Sequence, residues 1–172
     1  MAVVSGKRGS DGKLTRAKSY RYWRITDISI PGGGYLEISE LQFLKNGVVV
    51  NDDGAKTSST PPEVAASTYP FSMLFDGIIG SSSRTLWYES TAEDPSFWIK
   101  IDFGANTNVT PVNGIKQAGY SDSDRYMDSF RLEASQDDTV WHNVKYVTNI
   151  PWTGQYTLSS EYDTSNNDVL YA

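Results

Sequence analysis

Phe97-Trp98-Ile99-Lys100-Ile101-Asp102-Phe103-Gly104 is the stretch that decides the fold class of this chain. Phe97, Ile99, Ile101 and Phe103 alternate with Trp98, Lys100 and Asp102. Successive side chains of a strand point to opposite faces, so this period of two predicts a half-buried β-strand, and Gly104 ends it. Outward from it, Phe75-Asp76-Gly77 and Thr85-Leu86-Trp87 lie upstream. Ser135-Gln136-Asp137-Asp138-Thr139-Val140-Trp141 lies downstream.

The same period recurs along the chain. Residues 20–30, rich in aromatic and β-branched side chains, predict a first strand, and Pro31-Gly32-Gly33-Gly34 a turn with unusual backbone freedom. Residues 35–44 predict a second strand whose phase flips. Leu36 and Ile38 share one face and Leu41 and Phe43 the other, which a bulge near Ser39-Glu40 reconciles. Asn46-Gly47 predicts a tight turn into a short strand at 48–50. Residues 51–62 are polar and expected as an exposed loop, and 63–69 as one helical turn before Pro70. Further strands are expected at 112–120, 128–135 and 140–147. In the second of these Phe130, Leu132 and Ala134 alternate with Arg131, Glu133 and Ser135. Residues 149–155 form a loop around Trp152.

A chain of 172 residues suits one domain with a real core, expected at 20–158. Before it, residues 1–19 carry Lys7, Arg8, Lys13, Arg16 and Lys18 against Asp11 alone and are expected as a flexible basic arm. After it, 159–172 is a polar, acidic tail. The net charge of −6 argues against duplex nucleic acid as a partner of the folded domain. No apolar run is long enough to span a membrane, and no apolar h-region follows Met1. The chain has no cysteine, which excludes disulfides and thiolate zinc sites and suits folding in a reducing cytoplasm.

Taken together, Phe75-Asp76-Gly77, Thr85-Leu86-Trp87, the 98–104 strand, Val112-Asn113-Gly114-Ile115 and Ser135–Trp141 resemble the discoidin, or coagulation-factor C-type, domain. Asp138 stands where that pattern has Gly, a mild change because Asp tolerates left-handed backbone. The resemblance implies an all-β, galactose-binding-like jelly-roll sandwich with a binding function. Tyr20-Arg21-Tyr22-Trp23-Arg24-Ile25 and Leu36-Glu37-Ile38-Ser39-Glu40-Leu41 are similar to the family's last strands but come first, so the chain reads as permuted. That arrangement resembles bacteriophage tail and virion proteins. It implies a capsid decoration or tail component made in the host cytoplasm and carried on the virion. A host-surface carbohydrate-binding adhesion module is the alternative. The expected partners are accordingly other virion proteins or a glycan, with a homo-oligomer as a further option and no membrane insertion.

Catalysis is not expected. The one histidine, His142, alternates with Trp141 on a strand, and no Gly-x-Ser-x-Gly elbow is present. Glu89, Glu93 and Asp94 sit in one loop, where solvated charge is the simpler reading than a glycosidase pair. The resemblance implies a structural calcium held by Asp76 and Thr85, with Glu161 closing the shell, since calcium takes carboxylate, hydroxyl and carbonyl oxygens. The alternative has Asp76 capping its own turn. A sugar site needs an aromatic platform with planar polar groups beside it. Tyr88, Tyr120, Arg125, Tyr126 and Trp152, on three loops, are the candidates, with packing against a partner subunit as the competing role. Trp87, Trp98 and Trp141 are expected in the core.

Overall fold

The computed structural model describes residues 20–62, 67–104 and 112–163. The basic arm, residues 63–66 of the expected helical turn, and the tail beyond Asp163 lie outside them.

Every strand pair is antiparallel, and the strands form two five-stranded sheets. The first contains β1 (Tyr22–Ser29), β4 (Ala55–Ser58), β6 (Ile99–Asp102), β8 (Ser129–Ser135) and β9 (His142–Val147), in the order β4-β6-β1-β8-β9. The second contains β2 (Tyr35–Lys45), β3 (Val48–Val49), β5 (Thr85–Tyr88), β7 (Gly114–Gly119) and β10 (Tyr162–Asp163). Its order is β10-β7-β2-β3, with β5 also paired to β2. Helix among the described residues is limited to one turn, α1 (Glu89–Ala92), and 3-10 turns at Asn51–Asp53 and Phe71–Phe75. The fold is the all-β sandwich that the period-two segments predict.

Alternation builds the core. Trp23 and Ile25 of β1, Leu36, Ile38, Leu41 and Phe43 of β2, Phe97, Ile99 and Ile101 around β6, and Phe130 and Leu132 of β8 are all removed from water. Each contributes about 1.5–3 kcal/mol by burial. The Asn46-Gly47 turn has positive φ at both residues (51° and 79°), which only such residues adopt cheaply, and it leads into β3 as expected.

Two bulges set the phase of the central strands. In β1 the register with β8 shifts between Thr26 and Ser29, where Asp27 takes φ 47°. In β2 the register with β7 shifts between Ile38 and Glu40, where the phase flip required it. Leu36, Ile38, Leu41 and Phe43 thereby all face inward. Glu37 and Glu40 flank the bulge, so both turn to the outer face of β2, yet they are only 1% exposed.

Three expectations are corrected. Trp98 and Trp141 are not core residues but half-buried on the outer face of the first sheet. Trp98 is out of phase with Phe97 and Ile99, and Lys100 Nζ lies 4.7 Å from its ring centre. Arg24 lies 4.0 Å over Trp141. Trp87 is in the core as expected, its Nε1 donating to Thr60 O. Finally, 51–62 is not simply a loop. Asn51 is buried, donating to Leu41 O and accepting from Phe43 N–H, and β4 then pairs with β6.

Candidate ligand-binding site

The outer face of β2 is built around Glu37. Burying a carboxylate is costly unless it is paired and hydrogen-bonded. Glu37 Oε1 accepts from Arg84 Nη1, and Oε2 lies 3.3 Å from both Arg125 Nη1 and Ser121 Oγ. Arg84 Nη2 donates to Tyr69 OH at 2.6 Å. Its guanidinium lies between two rings, 4.1 Å from the centre of Tyr69 and 4.3 Å from that of Tyr120. Burial opposes the Arg84 charge, but the Tyr69 hydrogen bond and the Glu37 carboxylate outweigh it and hold its pKa above the ordinary value.

Arg125 extends the cluster. Its Nη1 also reaches Asp122 Oδ2 at 3.0 Å, and its guanidinium lies 5.5 Å from the Tyr35 ring. Tyr35 pairs with Tyr88 across the β2–β5 register, their rings 5.4 Å apart, and Tyr88 is 46% exposed. At the other end Tyr120 meets Tyr156 edge-on at 5.1 Å and donates its hydroxyl to Ser81 O. The result is one continuous row: Tyr88, Tyr35, Arg125, Glu37, Arg84, Tyr120 and Tyr156.

The glycine turn positions this row. Glu37 N–H donates to Arg125 O at 2.7 Å and Gly33 N–H to Asp124 O at 2.9 Å. A Cβ on Gly33 would stand 2.4 Å from Arg125 Cγ, so only glycine allows the loop to close there. The acidic loop residues expected as solvated charge have a role here. Glu89 accepts from Gly34 N–H and Glu93 from Ile30 N–H, clamping the turn from the α1 side.

Of the expected ligand residues, Tyr88, Tyr120 and Arg125 converge. Tyr126 and Trp152 do not join them as a platform. Tyr126 is buried, donates its hydroxyl to Ile150 O, and packs its ring 5.3 Å from Trp152. Trp152 is half-buried and lies over Gly119, where a Cβ would stand 2.2 Å from its ring. Glu37, Arg84, Tyr35, Tyr69 and Tyr156 were not anticipated. Two of them, Glu37 and Tyr35, lie on a strand whose alternation marks only an outward direction.

Asp76 and Thr85 lie along the same edge of β2. Asp76 Oδ1 accepts from Ile78 N–H, and Ser83 Oγ lies 2.9 Å from Asp76 Oδ2 and 3.1 Å from Met73 O. Thr85 is fully buried, its hydroxyl donating to Pro70 O. Glu40 Oε2 accepts from Gly77 N–H at 3.1 Å, with no cationic partner among the described residues. Burial pushes the Glu40 carboxyl up to about 7, and the nearby Asp76 charge adds to this. The donor set is oxygen throughout and includes a buried carboxylate without a counter-charge, which suits a hard cation. Glu161 is elsewhere, against Gly114 beside the Asn46-Gly47 turn. Among the described residues no group of three or more His, Cys, Asp or Glu side chains is arranged to hold a metal. Both Asp76 carboxylate oxygens are engaged within its own turn, by Ile78 N–H and Ser83 Oγ, and the Thr85 hydroxyl is engaged by Pro70 O.

Neither a curated protein nor a solved structure was found to match the chain. A family model described as F5/8 type C domain matches residues 54–168, well over half of the chain, including β4 to β10. On that match, and with the sandwich and the aspartate-led loop it contains, the chain belongs to the F5/8 type C, or discoidin, domain family.

Proposed function

We propose that this discoidin-like domain binds the sugars of a host-surface glycan, without catalysis, at the Tyr88–Arg125 end of the row. One observation carries this reading. The exposed Tyr88 ring packs on Tyr35, which lies under the Arg125 guanidinium, and Arg125 in turn pairs with Asp122, whose carboxylate the Ser121 hydroxyl reaches. Sugars offer apolar C–H faces to such a ring and hydroxyls to such planar groups. Tyr88→Ala would remove the stacking ring, worth about 1 kcal/mol or roughly five-fold in affinity. A glycan array followed by titration calorimetry tests it. The expected outcome is a hit that Tyr88→Ala and Asp122→Ala both weaken while the melting temperature holds. A blank array, or a hit indifferent to both substitutions, overturns it.

The setting we propose is a bacteriophage virion, as a capsid decoration or tail component. The support is the order of the strands. β1 and β2 precede the matched segment, yet they are the central strands of their sheets, as a permuted discoidin domain requires. Immunogold labelling of purified particles tests the setting, and unlabelled particles would argue for a role off the virion. We also propose a structural calcium ion at Glu40, Asp76 and the Thr85 segment, supported by the uncompensated Glu40 carboxylate. Such an ion would offset the cost of burying that charge.

A further inference from the structure

The two sides of β2 are not alike. Ile38 pairs with both Gly119 of β7 and Thr85 of β5, and Leu44 with both Gly114 of β7 and Val49 of β3. β5 and β3 therefore lie on the same side of β2, away from β7. The Phe71–Phe75 turn lies between them: Phe75 stacks on Phe43 at 6.4 Å, and Gly77 N–H reaches Glu40.

This edge carries four of the seven large apolar side chains that stand exposed among the described residues. They are Val48 (66%), Val49 (44%), Ile78 (52%) and Ile79 (36%). From Glu40 to Leu44 is roughly 13 Å at the rise of a strand. The isoleucine pair and the valine pair thus mark the two ends of a short strip. The Phe71–Phe75 turn also lines a groove of about 330 Å³, with Lys56, Phe71, Ser72 and Phe75 around it. The loop that carries the isoleucines is tied by Ile78 N–H donating to Asp76 and by the Gly80–Ser83 bridge. A soluble domain rarely leaves such a cluster bare without a partner for it.

Lys45 and Asp52, Asp53 and Lys56 border the strip. Among the described residues none of the four has an ion-pair partner, although Lys56 Nζ donates to Asn51 O at 2.9 Å. On the outer face of the first sheet, by contrast, Arg21, Arg24, Lys100 and Arg131 each have a carboxylate partner. Two unpaired cations and two unpaired acids on one apolar strip are complementary to the same strip rotated about a two-fold axis.

The geometry points to this edge as an isologous interface, with a second copy of this chain as its occupant. Each copy's isoleucine–valine strip covers the other's Phe71–Phe75 groove, and Lys45 and Lys56 face Asp52 and Asp53. A strip roughly 13 Å long suits a reversible dimer more than a permanent one.

Sedimentation equilibrium of the full chain from about 10 µM to about 1 mM spans the affinities such an interface can have. The expected result is a concentration-dependent dimer that Ile78→Asp, at an exposed loop tip, weakens at least about ten-fold. Lys45→Glu/Lys56→Glu and Asp52→Lys/Asp53→Lys should each associate less than the native chain, and an equimolar mixture of the two should associate more than either alone. Melting curves check that each variant is folded, and Ile78→Asp decides the matter if a charge variant is not. A chain that stays monomeric to about 1 mM overturns the proposal. So does a dimer indifferent to Ile78→Asp, or a mixture of folded charge variants no better than its components.

Discussion

Glu37 and Glu40 lie three residues apart, both withdrawn from water, and they are compensated differently. Glu37 faces two guanidinium groups, whereas Glu40 has the Gly77 N–H and, 3.5 Å away, the Gln42 amide. Removing one partner of a buried ion pair strands the other, so Glu37→Ala should cost about 3–5 kcal/mol, read as a lower urea midpoint. An unchanged midpoint would mean that Arg84 is solvated. Glu40 makes the opposite prediction. Its folded pKa, about 7, is above its ordinary 4.5, so the native state keeps a proton that the unfolded chain releases. Its contribution is fully present below the unfolded pKa and is lost as pH rises towards 7. Metal-stripped protein should therefore lose melting temperature between about pH 5 and pH 8, and Glu40→Gln should remove that part of the slope. Calcium added at about pH 8 should raise the melting temperature of the native chain by mass action, but much less in Asp76→Ala or Glu40→Gln. If calcium has no effect on the native chain, Asp76 is simply a turn former.

At the scale of the element, β6 separates what its alternation says from what a motif suggests. Phe97 is 1% exposed with its ring 5.4 Å from Trp87, whereas Trp98 is half-buried beneath Lys100 on the outer face. Phe97→Ala should cost about 3–5 kcal/mol. Trp98→Ala should cost only about 1 kcal/mol, the worth of an exposed cation–π contact. Equal losses in denaturant titrations would contradict the assigned faces. The periodicity was sufficient for this strand, for the bulge in β2 and for the Asn46-Gly47 hairpin, because each is a local choice between buried and exposed. It was insufficient for β4, whose Ala55-Lys56-Thr57-Ser58 is an edge strand with no apolar alternation to read. The site was legible in the same partial way. Tyr88, Tyr120 and Arg125 are loop aromatics and a loop cation, which invite a binding role. Glu37 looks like any solvated strand residue until its partners, 47 and 88 residues along the chain, are brought beside it.

At the scale of the molecule, the family-matched segment and the folding unit do not coincide. The match begins at residue 54, after β1 and β2. Yet β1 joins β6 to β8, and β2 joins β7 to both β3 and β5. A chain cut to 54–172 keeps the matched segment and loses the middle strand of each sheet. It also loses Trp23, Ile25, Leu36, Ile38, Leu41 and Phe43, six side chains no more than 2% exposed. At about 1.5–3 kcal/mol each, that burial is about 9–18 kcal/mol, as large as the whole stability of roughly 5–15 kcal/mol that a domain ordinarily has. The fragment should therefore show no cooperative melting and no dispersed amide spectrum. Moving residues 20–50 to the C-terminus through a flexible linker restores the strands in the order of an unpermuted discoidin domain. If the permuted reading is right, that rearranged chain should fold, melt cooperatively and recover the buried-tryptophan fluorescence of the native protein. A cooperatively folded 54–172 fragment would show that β1 and β2 are additions to a complete discoidin sandwich. Failure of both chains would mean that the native strand order is itself required to fold.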